Sequence, residues 1–362
     1  MLNIYITVIL LGLNLVFPKS KITPLLLFLF MWSLWGWNTW NGDYDLYEMN
    51  FDNSKDLSKE IGYSYLTYFF KSIGLSFHAF MIFSSLLFLS IICWLSIRHC
   101  SYPGLFSFIY FFVFLQGFVY LRNYYLWVII LFGLLKTLDS HHPKIVYGIS
   151  VVLSLAFHSS AFLYLVFMPG ISQKKVKAKR IILLAMILFF ATFVLFNFIS
   201  TFINNTSYGT SLEYYGSGIH FGASILFHFL FVLFFLYIDS KFGNKSAIGG
   251  KERSIMTLVH NFNVLSLLLL PVYLLVPYLP NRFIGFLVLV NLFYLMCIIK
   301  YSLKHKQLIM YSFAFLFSLC SISLAMLYVS TWPYTIIPLY MCNMIWGDDY
   351  TLHNLNVINN FN

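Results

Sequence analysis

Uncharged apolar runs long enough to cross a bilayer recur from one end of the 362-residue chain to the other. A transmembrane helix needs about 20 such residues to span about 30 Å of hydrocarbon. By that rule the pattern predicts helices near 2–17, 22–38, 77–97, 104–120, 124–138, 145–157, 159–169, 181–203, 221–238, 254–277, 283–300 and 308–330. In lipid the backbone must satisfy its own hydrogen bonds. The expected class is therefore all-α: a polytopic transmembrane helical bundle of about twelve crossings, forming a single integral membrane domain over residues 1–362. The first run starts at Met1 without a basic segment before it or a small-residue cleavage site after it, and reads as a retained helix.

Polar positions interrupt this pattern in a few places. The longest interruption, 38–76, starts acidic (Asp43, Asp45, Glu48, Asp52, Asp56) and continues as the aromatic stretch Ile61 to Phe70. That stretch predicts a helix lying on the membrane surface. The region 145–169 reads either as one long helix or as two short ones meeting at His158. Charge decides between them. The basic run Lys174, Lys175, Lys177, Lys179 and Arg180 belongs in the cytoplasm, as does the preceding loop with His141, His142 and Lys144. Both loops can be inside only if the chain goes out and returns between them, which puts His158 at an outer turn flanked by short helices. With that choice five Lys/Arg fall outside (Lys55, Lys59, Lys71, Arg122, Arg282) and the other seventeen inside. Nine of the twelve acids fall outside, and both termini are placed there too.

Composition agrees: 60% of residues are hydrophobic and only 9% charged. The net charge of +10 then belongs to topology and not to nucleic acid. Aromatics reach 21%, which suits interface belts and stacking against sugar rings. Trp32, Trp35, Trp37 and Trp40 read as such a belt. Five scattered cysteines give neither a disulfide framework nor a ligand spacing. Asp139, His141 and His142 lack a third metal ligand of clear geometry, so no metal and no cofactor are expected.

Arg122 is the one charged residue between Gly104 and Leu135. A charge in such a setting is costly, and its default reading is a functional site. Four outer elements carry candidate chemistry: Asp43 and Asp45 on the first loop, Arg122 and His158 at turns, and Arg282 in Leu279-Pro280-Asn281-Arg282-Phe283. Planar guanidinium groups bind phosphates bidentately, so two of them suit a lipid-linked diphosphate. The plainer reading of Arg122 and Arg282 is interfacial anchoring. His158 reads as a general base, as a diphosphate ligand or as the cap of a helix break, and Asp43 as a base for a sugar hydroxyl or as an ordinary turn acid.

These segments resemble a known family. Asn41-Gly42-Asp43-Tyr44-Asp45-Leu46-Tyr47 is similar to the GxDxxxY element of the EpsG family of Wzy-like polysaccharide polymerases. Ile61-Gly62-Tyr63 resembles its E-x-G-Y segment, and Gly117 to Asn123 its G-x-x-x-x-R-Q/N element. Leu155 to Ala161 resembles the LAxxFHxSA segment, Asn281-Arg282-Phe283 the late arginine motif, and Trp332-Pro333-Tyr334 the terminal aromatic-proline segment. Two departures are Asn123 where Gln is common and the missing proline after Glu60.

The resemblance implies a GT-C-like, metal-independent membrane glycosyltransferase. Such an enzyme joins undecaprenyl-diphosphate-linked repeat units on the outer face of the bacterial cytoplasmic membrane, for capsule, O-antigen or exopolysaccharide. Implied partners are those lipid-linked glycans, membrane lipids, and flippase and chain-length regulator proteins. On this reading Arg122 and Arg282 clamp the diphosphate, and Asp43 or His158 activates the hydroxyl in a single inverting displacement. Asp45, Tyr44, Tyr47, Tyr63, Asn123, Asn281, Trp332 and Tyr334 are the expected substrate-binding residues. The alternatives weighed are a lipid-linked oligosaccharide flippase or transporter, and a membrane acyltransferase acting on glycans. Internal repeat symmetry would favour a transporter, and the chain shows none.

Overall fold

A computed structural model describes residues 2–41, 43–53, 60–172, 174–195, 219–242, 249–276, 279–302, a few positions between 309 and 316, and 339–346. Among the described residues the chain is helical, with no strand beyond one isolated bridge between Asn38 and Asn343. Among the described residues five helices are long and apolar enough to cross a membrane: Phe77–His99, Leu121–Asp139, Ile225–Phe242, Gly250–Leu275 and Arg282–Tyr301. Five shorter apolar helices accompany them. The chain divides into two compact units, Met1–Phe132 with Ser150–Ala161 and Leu319–Asn362, and Gly133–Ile149 with Phe162–Ser318.

In the first unit α1 (Leu2–Val16) and α2 (Ile22–Gly36) pack on each other, and α2 lies along α5 (Phe77–His99). Buried Asn14 ties the α1–α2 turn by donating to Leu10 O at 2.8 Å and Thr23 O at 3.1 Å. The same turn receives α6 (Pro103–Phe114), whose Gly104 N–H donates to Pro18 O at 2.9 Å. A β-carbon on Gly104 would stand 2.9 Å from both Asn14 O and Phe17 O, so this approach requires glycine. Trp32 Nε1 donates to Ile82 O at 2.9 Å, and Trp35 is fully buried with its ring edge-on to Tyr124 at 5.4 Å. Trp35 is thus core, not part of an interface belt. The segment 339–346 returns to the end of α2. There Thr39 N–H donates to Cys342 O at 2.8 Å, and the Asn343 amide donates to Leu34 O at 2.9 Å.

The stretch from 38 to 76 contains two short helices among its described residues, α3 (Tyr44–Asp52) and α4 (Ile61–Ser72). The sequence pattern marks the second and not the first, because α3 is acidic and sparsely apolar. After α6 a 3₁₀ turn, Leu115–Val119, leads into α7 (Leu121–Lys136). Next comes α8 (Pro143–Leu155), and the chain then breaks at 156–158. The expected second short helix follows, but as a 3₁₀ run, Ser159–Gly170. Pro169 lies inside it and lacks the N–H that a regular α-helix would use there.

The second unit holds α9 (Ala178–Val194), α10 (Ile219–Phe242), α11 (Gly250–Ser266), α12 (Leu270–Leu275) and α13 (Leu279–Ser302). Polar side chains lock it internally. Asn263 and Asn291 are fully buried and exchange two amide hydrogen bonds, each 3.0 Å. Asn261, also fully buried, donates to Gly170 O at 2.8 Å and Lys174 O at 3.0 Å and accepts from Val176 N–H at 2.8 Å. Buried Asp239 accepts from Lys175 Nζ at 2.7 Å and Tyr294 Oη at 2.7 Å, and lies 2.9 Å from His260 Nδ1. One lysine of the basic run is therefore pinned by a carboxylate.

Asp239→Leu would leave Lys175 and His260 facing each other without their shared anion. Stripping one partner from a buried pair costs about 3–5 kcal/mol. The expected outcome is a large fall in the thermal midpoint in detergent, against which a wild-type midpoint would show that the cluster is not structural.

Candidate functional site

The site is built where two helix ends meet in the first unit. The first N–H groups of a helix have no partner within it, and a packed end must meet them elsewhere. At the start of α4 the Gly62 and Tyr63 N–H groups both donate to Ala156 O, at 2.6 and 3.3 Å. That carbonyl belongs to the break after α8, so each interrupted end satisfies the other. A β-carbon on Gly62 would meet Ala156 Cβ at 2.8 Å and Ala156 O at 2.9 Å, which explains the glycine. Glu60, just before α4, takes a left-handed conformation with φ 54° and ψ 66°. It is the one non-glycine with positive φ among the described residues. For an L-residue that conformation costs about 1–2 kcal/mol, and such strain collects at functional sites.

Glu60 is the residue this geometry aims. Its Oε2 accepts from Arg122 Nη1 at 2.8 Å, and its Oε1 lies 3.7 Å from His158 Nδ1. His158 is buried, and its Nδ1 accepts from Ser160 N–H at 3.2 Å. That bond places the proton of the neutral ring on Nε2. Arg122, in the first turn of α7, keeps its side chain 34% exposed. Its Cζ stands 5.7 Å from the Tyr47 ring, and the Tyr47 and Tyr63 rings are 6.4 Å apart. Two polar atoms here, Arg122 Nε and Tyr63 Oη, are buried without a hydrogen-bond partner among the described residues. Burial pushes the Tyr63 phenol well up and raises Tyr47 as well, with the Arg122 cation opposing the rise at both. Both therefore act as neutral hydrogen-bonding groups at ordinary pH.

The expected site residues fall into three groups. Arg122, His158, Tyr47 and Tyr63 gather around Glu60 in the first unit. Asp43 precedes α3, with its N–H bonded to Asn41 Oδ1 at 3.0 Å, and its charge acts on Tyr47. Tyr44 is buried against Phe77 at 5.1 Å, and burial, with Glu48 and Asp45 behind it, pushes its phenol up to about 12. Asp45 is exposed in the first turn of α3, and Asn123 is buried beside Arg122 in sequence. Arg282 is half-buried on α13 in the second unit. The Asn281 side chain, Trp332 and Tyr334 lie outside the described residues.

Glu60 was not singled out by the sequence. It is one of twelve acids in the chain, and it lies 62 positions from Arg122. The usable signal was its place directly before Ile61-Gly62-Tyr63, together with the need of an isolated arginine for an anion.

The helices and this site define a multi-pass membrane protein with a charged cluster built at helix breaks. The chain belongs to the EpsG family, whose model matches residues 21–338, and membership points to a membrane polysaccharide polymerase. No curated protein and no solved structure matches it.

Gly62→Val would drive a branched side chain into Ala156. Overpacking of this kind costs about 1–3 kcal/mol. A lowered thermal midpoint is expected. An unchanged midpoint would mean that α4 does not dock at Ala156.

Proposed function

We propose that the protein polymerises glycan repeat units carried on a polyprenyl diphosphate, at the outer face of the bacterial cytoplasmic membrane. The observation that carries this reading is the Glu60–Arg122 pair beside His158, with Arg122 Nε and Tyr63 Oη unpartnered. Family membership supports the polymerase class. In this reading the fold is GT-C-like, with about twelve crossings.

The chemistry follows from an exchange of anions. A diphosphate competes with the Glu60 carboxylate for Arg122, because a guanidinium grips phosphate oxygens through two parallel bonds. Once displaced, Glu60 is an unpaired carboxylate next to the acceptor. The acceptor sugar hydroxyl attacks the anomeric carbon of the donor and a new C–O bond forms. The bond to the diphosphate breaks, and its electron pair leaves on the lipid diphosphate, whose charge Arg122 stabilises. The hydroxyl proton goes to Glu60, which His158 borders at 3.7 Å. One displacement inverts the anomeric configuration. Asp43 and Tyr47 hold the sugars in this scheme. No metal is needed for a leaving group already held by arginine, so a chelator should leave turnover intact.

The test is purified protein in detergent with a lipid-linked repeat unit and no nucleotide sugar. A ladder of longer glycans is expected. Movement of the intact lipid across liposomes without a ladder would make the protein a flippase. Arg122→Ala should abolish the ladder. Glu60→Gln keeps the side chain's shape and removes the base, so kcat should fall about 10²–10⁴-fold with KM nearly unchanged. A Glu60→Gln protein with wild-type kcat would return the base role to Asp43 or His158.

A further inference from the structure

A second feature of the first unit borders the charged cluster. An apolar groove of about 210 Å³ is walled by Leu66, Phe83, Leu87, Tyr125, Val128 and Phe157, among others. Phe83 and Leu87 lie one turn apart on α5 and are 41% and 37% exposed. Tyr125 and Phe157 form a stacked floor with centroids 4.7 Å apart. On three separate elements the groove begins next to a residue of the cluster. Tyr125 and Val128 follow Arg122 down one face of α7, Leu66 follows Tyr63 by one turn of α4, and Phe157 precedes His158. Groove and cluster are thus lined by near neighbours on the same three elements.

A ligand that fills both has an anionic head and a hydrocarbon chain joined directly to it. Arg122 supplies the attraction for the head, with one donor already unpartnered. The groove supplies aromatic and branched walls for the chain. We propose that the groove seats the first isoprene units of a polyprenyl chain whose diphosphate is held at Arg122. The identity of the head group rests on the polymerase reading, whereas the position of the chain rests on the groove alone. Seating the chain fixes the depth of the diphosphate and so brings the anomeric carbon to Glu60.

The probe is a polyprenyl diphosphate carrying a photoreactive diazirine in the isoprene unit nearest the phosphate. It is added to the full-length protein in nanodiscs, and labelled peptides are read by mass spectrometry. Labels are expected on α5 around Leu87, on α7 around Val128 and at Phe157, removable by unlabelled polyprenyl diphosphate but not by phosphatidylglycerol. Leu87→Trp fills the groove from its exposed side, where folding tolerates bulk. It should raise the Kd for the probe about tenfold and leave binding of inorganic pyrophosphate unchanged, and Phe83→Trp serves the same purpose should the first variant misfold. Labels elsewhere, or labels removed equally by phosphatidylglycerol, would overturn the proposal. Groove labelling without a glycan ladder would sink the polymerase reading and leave the groove standing. A ladder with labelling elsewhere would do the reverse.

Discussion

Two N–H groups at the start of α4 share the carbonyl of Ala156, and the rest of the site depends on that contact. Packed backbone groups cannot go unmet, so a chain that interrupts a helix in the interior must find partners for both ends. Here the break after α8 and the beginning of α4 satisfy each other. The residues flanking the contact are then fixed in space: Glu60 on one side, Phe157 and His158 on the other. Gly62 makes the approach close enough, and the left-handed turn at Glu60 brings the carboxylate to Arg122 and His158.

The second unit is held by the same logic applied to side chains. Asn263 and Asn291 consume each other's hydrogen-bonding capacity, and Asp239 gathers Lys175, Tyr294 and His260. These groups are satisfied internally, whereas the cluster around Arg122 is not. Arg122 Nε and Tyr63 Oη have no partner among the described residues, beside a carboxylate that a ligand can displace.

Much of this was legible in the sequence, for identifiable reasons. Long uncharged runs fix where helices lie, because hydrocarbon excludes most alternatives. Arg122 stood out through its isolation, and His158 through the charge balance of the loops around it. Glu60 was passed over, although it stands at the acidic position of the E-x-G-Y segment, because its role is a contact across 62 positions. Helix α3 was missed because its stretch is held by Tyr44, Tyr47 and Phe51 packing inward, not by an apolar run. Trp35 was read as interfacial because composition cannot distinguish a ring facing lipid from one facing Tyr124.

Arg122 occupies the first turn of α7, where the helix dipole already points its positive end outward. A cation there is on the wrong side of its own helix, and each repels the other until an anion arrives. Glu60 offsets that repulsion at rest. Any stronger anion that takes its place inherits both attractions, the guanidinium and the positive end of the helix dipole. The arginine and the start of its own helix share one counter-charge, lent by Glu60 from 62 positions away.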